Sequence, residues 1–274
     1  MAVTQRTIKA GKILYRIITG RKNTEKKDRA KRSQPTVEQV EKNNQRYAER
    51  DLFLKLNHNF QEHDLHVVFT YDGEEPSKEE SYKILKEFKR ALLKEYRKRG
   101  IVLKWIEVTE YENKRIHHHV VLSKGMSAKE LANLWGQGKI MITPMYEEGN
   151  YRNLAAYLIK ESSKTIRSDN PFSKKRFRCS RSIENPPVFR EEVKVSKLLE
   201  EPKPVKGYYV DDDSIYKGVN PETERQYIEF CMLPIEDEEQ AKRIRGRKEK
   251  YKKDSADWWL KKHATKQLEI DIPF

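Results

Sequence analysis

The chain has 274 residues, enough for one large domain or two small ones. Lysines and arginines number 57 against 43 aspartates and glutamates, and the net charge of +14 favours a polyanionic partner, because phosphate contacts release condensed counterions. Two cysteines, Cys179 and Cys231, are too few for a disulfide framework or a thiolate zinc site; no run approaches the ~20 apolar residues of a bilayer span; and 8–18 lacks the order of a signal peptide, so a cytoplasmic protein with no membrane partner is expected.

Residues 1–35 are basic and lack clear periodicity. The block 21–32 is mostly charge and reads equally as a solvated tail or a DNA-gripping arm. Thr36-Val37-Glu38-Gln39 fits a capping box, and neither Pro nor Gly interrupts the helix it opens before Phe60. Residues 65–71 (LHVVFTY) are β-branched and aromatic, hence a strand. Ser77 and Glu80 form a second capping box, opening an amphipathic helix with Tyr82, Leu85, Phe88, Leu92 and Tyr96 at spacings of three and four. Arg99-Gly100 ends it. A second strand over 101–109, a turn at Glu112-Asn113-Lys114 and a third strand over 116–122 make a hairpin. Ser127 and Glu130 cap a short helix that stops at Gly136 and Gly138. A fourth strand covers 139–143, and Asn150 opens the helix carrying Tyr157. Beyond Lys174, Pro186-Pro187 and Glu201-Pro202-Lys203-Pro204 read as connectors, 242–253 as a basic helix, and Trp258-Trp259 as an anchor.

The order β-α-β-β-α-β-α is a split βαβ arrangement. The expected fold is α+β: an antiparallel, RRM-like or ferredoxin-like sheet with helices on one face, an N-terminal helix and an irregular C-terminal extension. Three parts follow: a basic arm and helix over 1–60, a core over 61–170 and a basic extension over 171–274. Because the patterned chemistry ends near residue 165, a fragment of about 60–170 is expected to retain it.

The chemistry concentrates in Arg115-Ile116-His117-His118-His119-Val120-Val121-Leu122. Strand alternation projects His117 and His119 to one face and His118 to the other. Two imidazoles with Glu110 on the paired strand can hold a divalent metal and leave positions open for a substrate oxygen. A lone His-x-His is a weak signal, more often surface or hydrogen-bonded than ligating; the matching acid raises it. Tyr157 alone reads as core, but Lys160 stands three residues on, about 60° around the helix. A metal beside a tyrosine and a lysine suits phosphoryl transfer onto a side-chain oxygen. Tyr151 competes as nucleophile, but lies about 240° from Tyr157, so a regular helix cannot turn both toward one metal. Two other readings remain. One is a non-catalytic nucleic-acid-binding replication or regulatory protein using an RRM-like sheet, which leaves the histidines unexplained. The other is a two-His-one-carboxylate non-haem iron enzyme, which leaves Tyr157, Lys160 and the charge unexplained.

These residues resemble the HUH endonucleases, in particular single-tyrosine rolling-circle replication initiator (Rep) proteins of plasmids, phages and mobile elements. The resemblance covers about 64–165. Its first motif is Phe69-Thr70-Tyr71, its second His117-His118-His119 with the apolar residues after them, its third Tyr157-Leu158-Ile159-Lys160. His118 stands where the family usually has a hydrophobe. The resemblance implies a metal-dependent endonuclease and strand transferase with Mg²⁺ or Mn²⁺ on Glu110, His117 and His119. Tyr157 would be the nucleophile, assisted by Lys160. It implies single-stranded DNA at a replication origin as substrate, a host helicase and polymerase as partners, and DNA contacts at Thr70, Tyr71 and Arg115. Arg176, Arg178 and Arg181 lie in a segment similar to a tail of such proteins and are further DNA-binding candidates. No Walker-type loop is present, so no fused helicase is implied.

Overall fold

A computed structural model describes residues 2–20, 36–111, 115–145, 150–166, 175–220, 225–237 and 239–240. The expected turn at 112–114, the charge block 21–32, the basic stretch 242–253 and Trp258-Trp259 lie outside them. Two five-stranded antiparallel sheets and five helices make a mixed α+β fold.

The central sheet has the order β6-β3-β5-β4-β7, with β3 (Leu65–Phe69), β4 (Trp105–Glu110), β5 (His117–Leu122), β6 (Ile140–Pro144) and β7 (Arg178–Cys179). On one face lie α2 (Lys78–Lys98) and α3 (Ala128–Trp135). Their Leu85, Phe88, Leu92, Tyr96, Leu131 and Trp135 pack on Val67, Phe69, Val120 and Leu122. Ser77 and Ser127 cap these helices, each closing a capping box with the glutamate three residues on, Glu80 and Glu130. The expected strand 101–109 begins only at Trp105. Ile101 donates its amide to Tyr96 O, so the chain is still leaving α2 there.

The second sheet, order β8-β1-β2-β10-β9, was not expected from the sequence. The N-terminal residues form a hairpin of β1 (Ala2–Ala10) and β2 (Ile13–Thr19), turned at Gly11-Lys12. Gly11 has φ +57°, and a Cβ there would stand 2.2 Å from Asn57 O. The segment expected to be an irregular extension supplies β8 (Val188–Lys194), β9 (Tyr208–Val219) and β10 (Gln226–Pro234), with the short α5 (Ser196–Leu199) between β8 and β9. The two ends of the described chain thus share one sheet, β8 pairing with β1 and β10 with β2.

Between the sheets lie α1 (Val37–Asn59) and α4 (Arg152–Ile166). Thr36 caps α1 through the capping box with Gln39. Leu52, Phe53, Leu54 and Leu56 of α1 share one core with Ile8, Ile13, Tyr15 and Ile17 of the hairpin, Ile106, Val108 and Val121 of the central sheet, and Tyr151, Ala155, Leu158 and Ile159. The layers therefore run from α2 and α3, through the central sheet and the α4/α1 pair, to the second sheet. Helices cover both faces of the central sheet, and α4 covers the face that carries His117 and His119. Among the described residues no helix is long and apolar enough to cross a membrane.

Candidate metal centre

The β4/β5 ladder sets Glu110 opposite His117 and Val108 opposite His119. Val108 and Val121 enter the core under α4, so their face is the one that Glu110, His117 and His119 share. Glu110 is fully buried, and His119 is 3% exposed. Glu110 Oε2 lies 3.0 Å from His117 Nε2 and 3.8 Å from His119 Nε2. One donor atom from each residue falls within 4.8 Å of the others, so the three form a cluster able to hold a metal ion. A carboxylate oxygen with two imidazole nitrogens suits a divalent cation. Two ligands about 2.1 Å from one ion at a right angle stand roughly 3 Å apart, close to the His117 spacing.

Both rings are aimed from behind. His117 Nδ1 lies 2.8 Å from Arg115 O, an acceptor, so this nitrogen carries the proton and Nε2 keeps its lone pair toward Glu110. His119 Nδ1 lies 3.2 Å from Nε2 of His66 on β3. His66 was missed in the sequence. The signal was available: Val67 and Phe69 point into the α2/α3 core, so alternation puts His66 on the histidine face. Burial pushes His66 down to about 4.

His118 points the other way, as alternation requires. Its Nε2 is 2.8 Å from Tyr71 Oη, its Nδ1 2.9 Å from Thr109 Oγ1, and its ring meets Trp135 edge-on at 6.0 Å. Burial first, then the neighbouring His117, Lys89 and His119, pushes its pKa down to about 3. A neutral ring fits its partners: Thr109 donates to Nδ1, Nε2–H donates to Tyr71, and Tyr71 donates to Ser81 O.

From α4 the Tyr157 ring meets His119 edge-on, centroids 5.5 Å apart at 84°, and Tyr157 remains 43% exposed. Tyr151 is 1% exposed in the core between the sheets. Lys160 is exposed on the same helix.

The structure brings Glu110, His117, His119 and Tyr157 together, but disperses the candidate DNA contacts. Thr70, just past β3, donates its hydroxyl to Lys139 O. Tyr71 is buried on the opposite face of the sheet, against His118 and Trp135. Arg115 is exposed and reaches Gly73 O at 2.6 Å. Arg176 pairs with Glu41 at 2.7 Å and bonds Ser163. Arg178 lies over the Tyr82 ring and 3.8 Å from the buried Glu107. Arg181 is exposed. Arg176 and Arg178 thus tie the chain after α4 back onto α1, α4, α2 and β4.

No curated protein and no solved structure gives a significant match to the chain. Residues 64–166, which run from the start of β3 to the end of α4, match the family model of the ORF2-type replication-associated proteins. That span contains all four residues of the centre, supports a role in replication, and accords with a rolling-circle Rep protein whose Glu110, His117 and His119 cluster resembles the HUH motif.

Proposed function

We propose that this protein is a site-specific DNA endonuclease and strand transferase that nicks and rejoins single-stranded DNA at a replication origin, and so starts rolling-circle replication. The observation that carries the reading is the edge-on contact of the exposed Tyr157 with His119 of the Glu–His–His cluster, inside the segment that matches a replication-associated family. Tyr157 is favoured over Tyr151 because a nucleophile must reach solvent-borne DNA, and Tyr151 is buried.

Glu110, His117 and His119 would hold Mg²⁺ or Mn²⁺, which supplies neutralisation of charge on a non-bridging phosphate oxygen. Tyr157 Oη attacks phosphorus in line. The Oη–P bond forms as the P–O3′ bond breaks; the phenol loses its proton, and the departing 3′ oxygen takes one from solvent. The products are a 5′-phosphotyrosyl link and a free 3′-hydroxyl able to prime synthesis. Attack by a 3′-hydroxyl on the same phosphorus reverses the step and releases the tyrosine. A phenol near its usual pKa of about 10 is little ionised at neutral pH, and the Lys160 ammonium would stabilise the developing phenolate. A host helicase and polymerase would act after the nick. Arg115 and Arg181, exposed and basic, are the candidate phosphate contacts, with Thr70 beside the cluster.

The test is incubation of the purified protein with a labelled single-stranded oligonucleotide carrying its origin and Mg²⁺. A covalent 5′-linked adduct that disappears in Tyr157→Phe supports the reading. An adduct that survives in Tyr157→Phe and is lost in Tyr151→Phe sinks the assignment. Binding without any adduct favours the non-catalytic alternative.

A further inference from the structure

A neutral imidazole that ligates through Nε2 carries its proton on Nδ1, and that proton needs an acceptor when the ring is buried. For His117 the acceptor is a backbone carbonyl, that of Arg115, which the chain supplies whatever the side chain there. For His119 the group in place is a side chain, His66, on the neighbouring strand. Val68 is the ladder partner of His119, and His66 lies two residues before it on the same face. The rings are nearly parallel, 17° apart, with centroids 5.4 Å apart and nitrogens at 3.2 Å. Such spacing puts the contact at the ring edges, where the N–H and the lone pair lie, rather than between stacked faces.

We propose that His66 is a positioning residue for the metal centre: its Nε2 accepts the Nδ1 proton of His119 and fixes the tautomer and ring angle that turn His119 Nε2 toward Glu110. The proposal rests on the reading of Glu110, His117 and His119 as the metal site. It assigns a role to a residue of β3 that lies outside the three motifs. His66 is then the Nδ1-protonated tautomer, the reverse of the arrangement of a ligating ring. Loss of such an outer partner costs about 10–100-fold in metal affinity.

The variants His66→Gln and His66→Leu separate hydrogen bonding from packing. The glutamine amide can place an oxygen acceptor near the position of the imidazole Nε2, whereas leucine fills the space without one. Mn²⁺ binding to the full-length protein is measured by calorimetry or by the electron paramagnetic resonance of free Mn²⁺. His66→Leu should weaken binding about 10–100-fold, and His66→Gln should stay within a few fold of the wild type. Equal loss in both variants would reduce His66 to a packing role, and no loss in His66→Leu would remove it from the centre altogether. If wild type and Glu110→Gln bind Mn²⁺ equally, the metal reading itself has failed, and the proposal with it. Should His66→Leu not fold, ¹H–¹⁵N correlation spectra of the imidazoles in the Mg²⁺-loaded wild type decide. The proposal requires the proton on Nδ1 of His119 and on Nδ1 of His66; a proton on His66 Nε2 overturns it.

Discussion

Deleting residues 1–60 is expected to unfold the segment that carries the metal centre, although that segment holds all the recognised chemistry. The reason is α1. Leu52, Phe53, Leu54 and Leu56 are at most 6% exposed, and they share one core with Tyr151, Ala155, Leu158 and Ile159 around α4. At about 1.5–3 kcal/mol for each fully buried large apolar side chain, their loss removes roughly 6–12 kcal/mol, against a usual total stability of about 5–15 kcal/mol. The hairpin β1/β2 goes with them, leaving β8 and β10 without partners. The patterned sequence predicts that a fragment of about 60–170 keeps its chemistry; the packing predicts that it does not keep its fold. The assay compares full-length protein with fragments 60–170 and 60–240 by thermal unfolding and by covalent adduct formation on a single-stranded oligonucleotide. Neither fragment should give a cooperative transition or an adduct. A soluble 60–170 fragment that melts cooperatively and still forms the adduct would refute the reasoning and restore the three-part division.

Other expectations follow from the centre and its surroundings. Tyr157→Phe should abolish the adduct with DNA binding nearly intact, read by denaturing gels and by anisotropy. His117→Ala and His119→Ala should each remove Mn²⁺ binding and cleavage, measured by calorimetry and nicking. His118→Ala should keep the metal but lower stability by about 1–3 kcal/mol, since it leaves Tyr71 and Thr109 without their shared partner, seen as a lower Tm. The folded-state pKa values of His66 and His118, about 4 and about 3, lie below the ordinary 6.5. Unfolding therefore takes up protons below pH 6.5: the stability these residues give is complete above that value and drains as pH falls toward 4. Each contributes a slope of up to about 1.4 kcal/mol per pH unit. With chelator present, Tm should fall between pH 6.5 and 5, before most carboxylates titrate; a flat profile there would contradict the burial of both rings.

The centre was legible because its information is local. Period-two alternation separates His117 and His119 from His118, and one hairpin fixes Glu110 opposite them, so no distant contact is needed to assemble the three ligands. The capping boxes at Thr36, Ser77 and Ser127 marked helix starts for the same reason. The second sheet was illegible because its strands are strands by partnership. In β9, Asp211-Asp212-Asp213 has no strand propensity, and pairing with β10 imposes the conformation. In β2, Ile13, Tyr15 and Ile17 do alternate inward, but the lysines around Gly11 and the charge block beyond obscured a two-residue hairpin turn. The candidate arginines were misleading because charge alone does not reveal pairing: Arg176 and Arg178 face Glu41 and Glu107, far away in sequence.

The shared sheet also sets an order of events during synthesis. Residues 2–19 are made long before β8 and β10, the strands that flank their hairpin on both sides. At about 5–20 residues per second, ribosomes leave that hairpin with two open edges for on the order of ten seconds or more. An isolated two-stranded hairpin is marginal in water, and open edges invite pairing with a neighbouring nascent chain. Lys9, Lys12 and Arg16 within and beside the hairpin give such neighbours like charges to repel. The basic residues that hid the strands from a reader of the sequence thus guard them while they wait for partners.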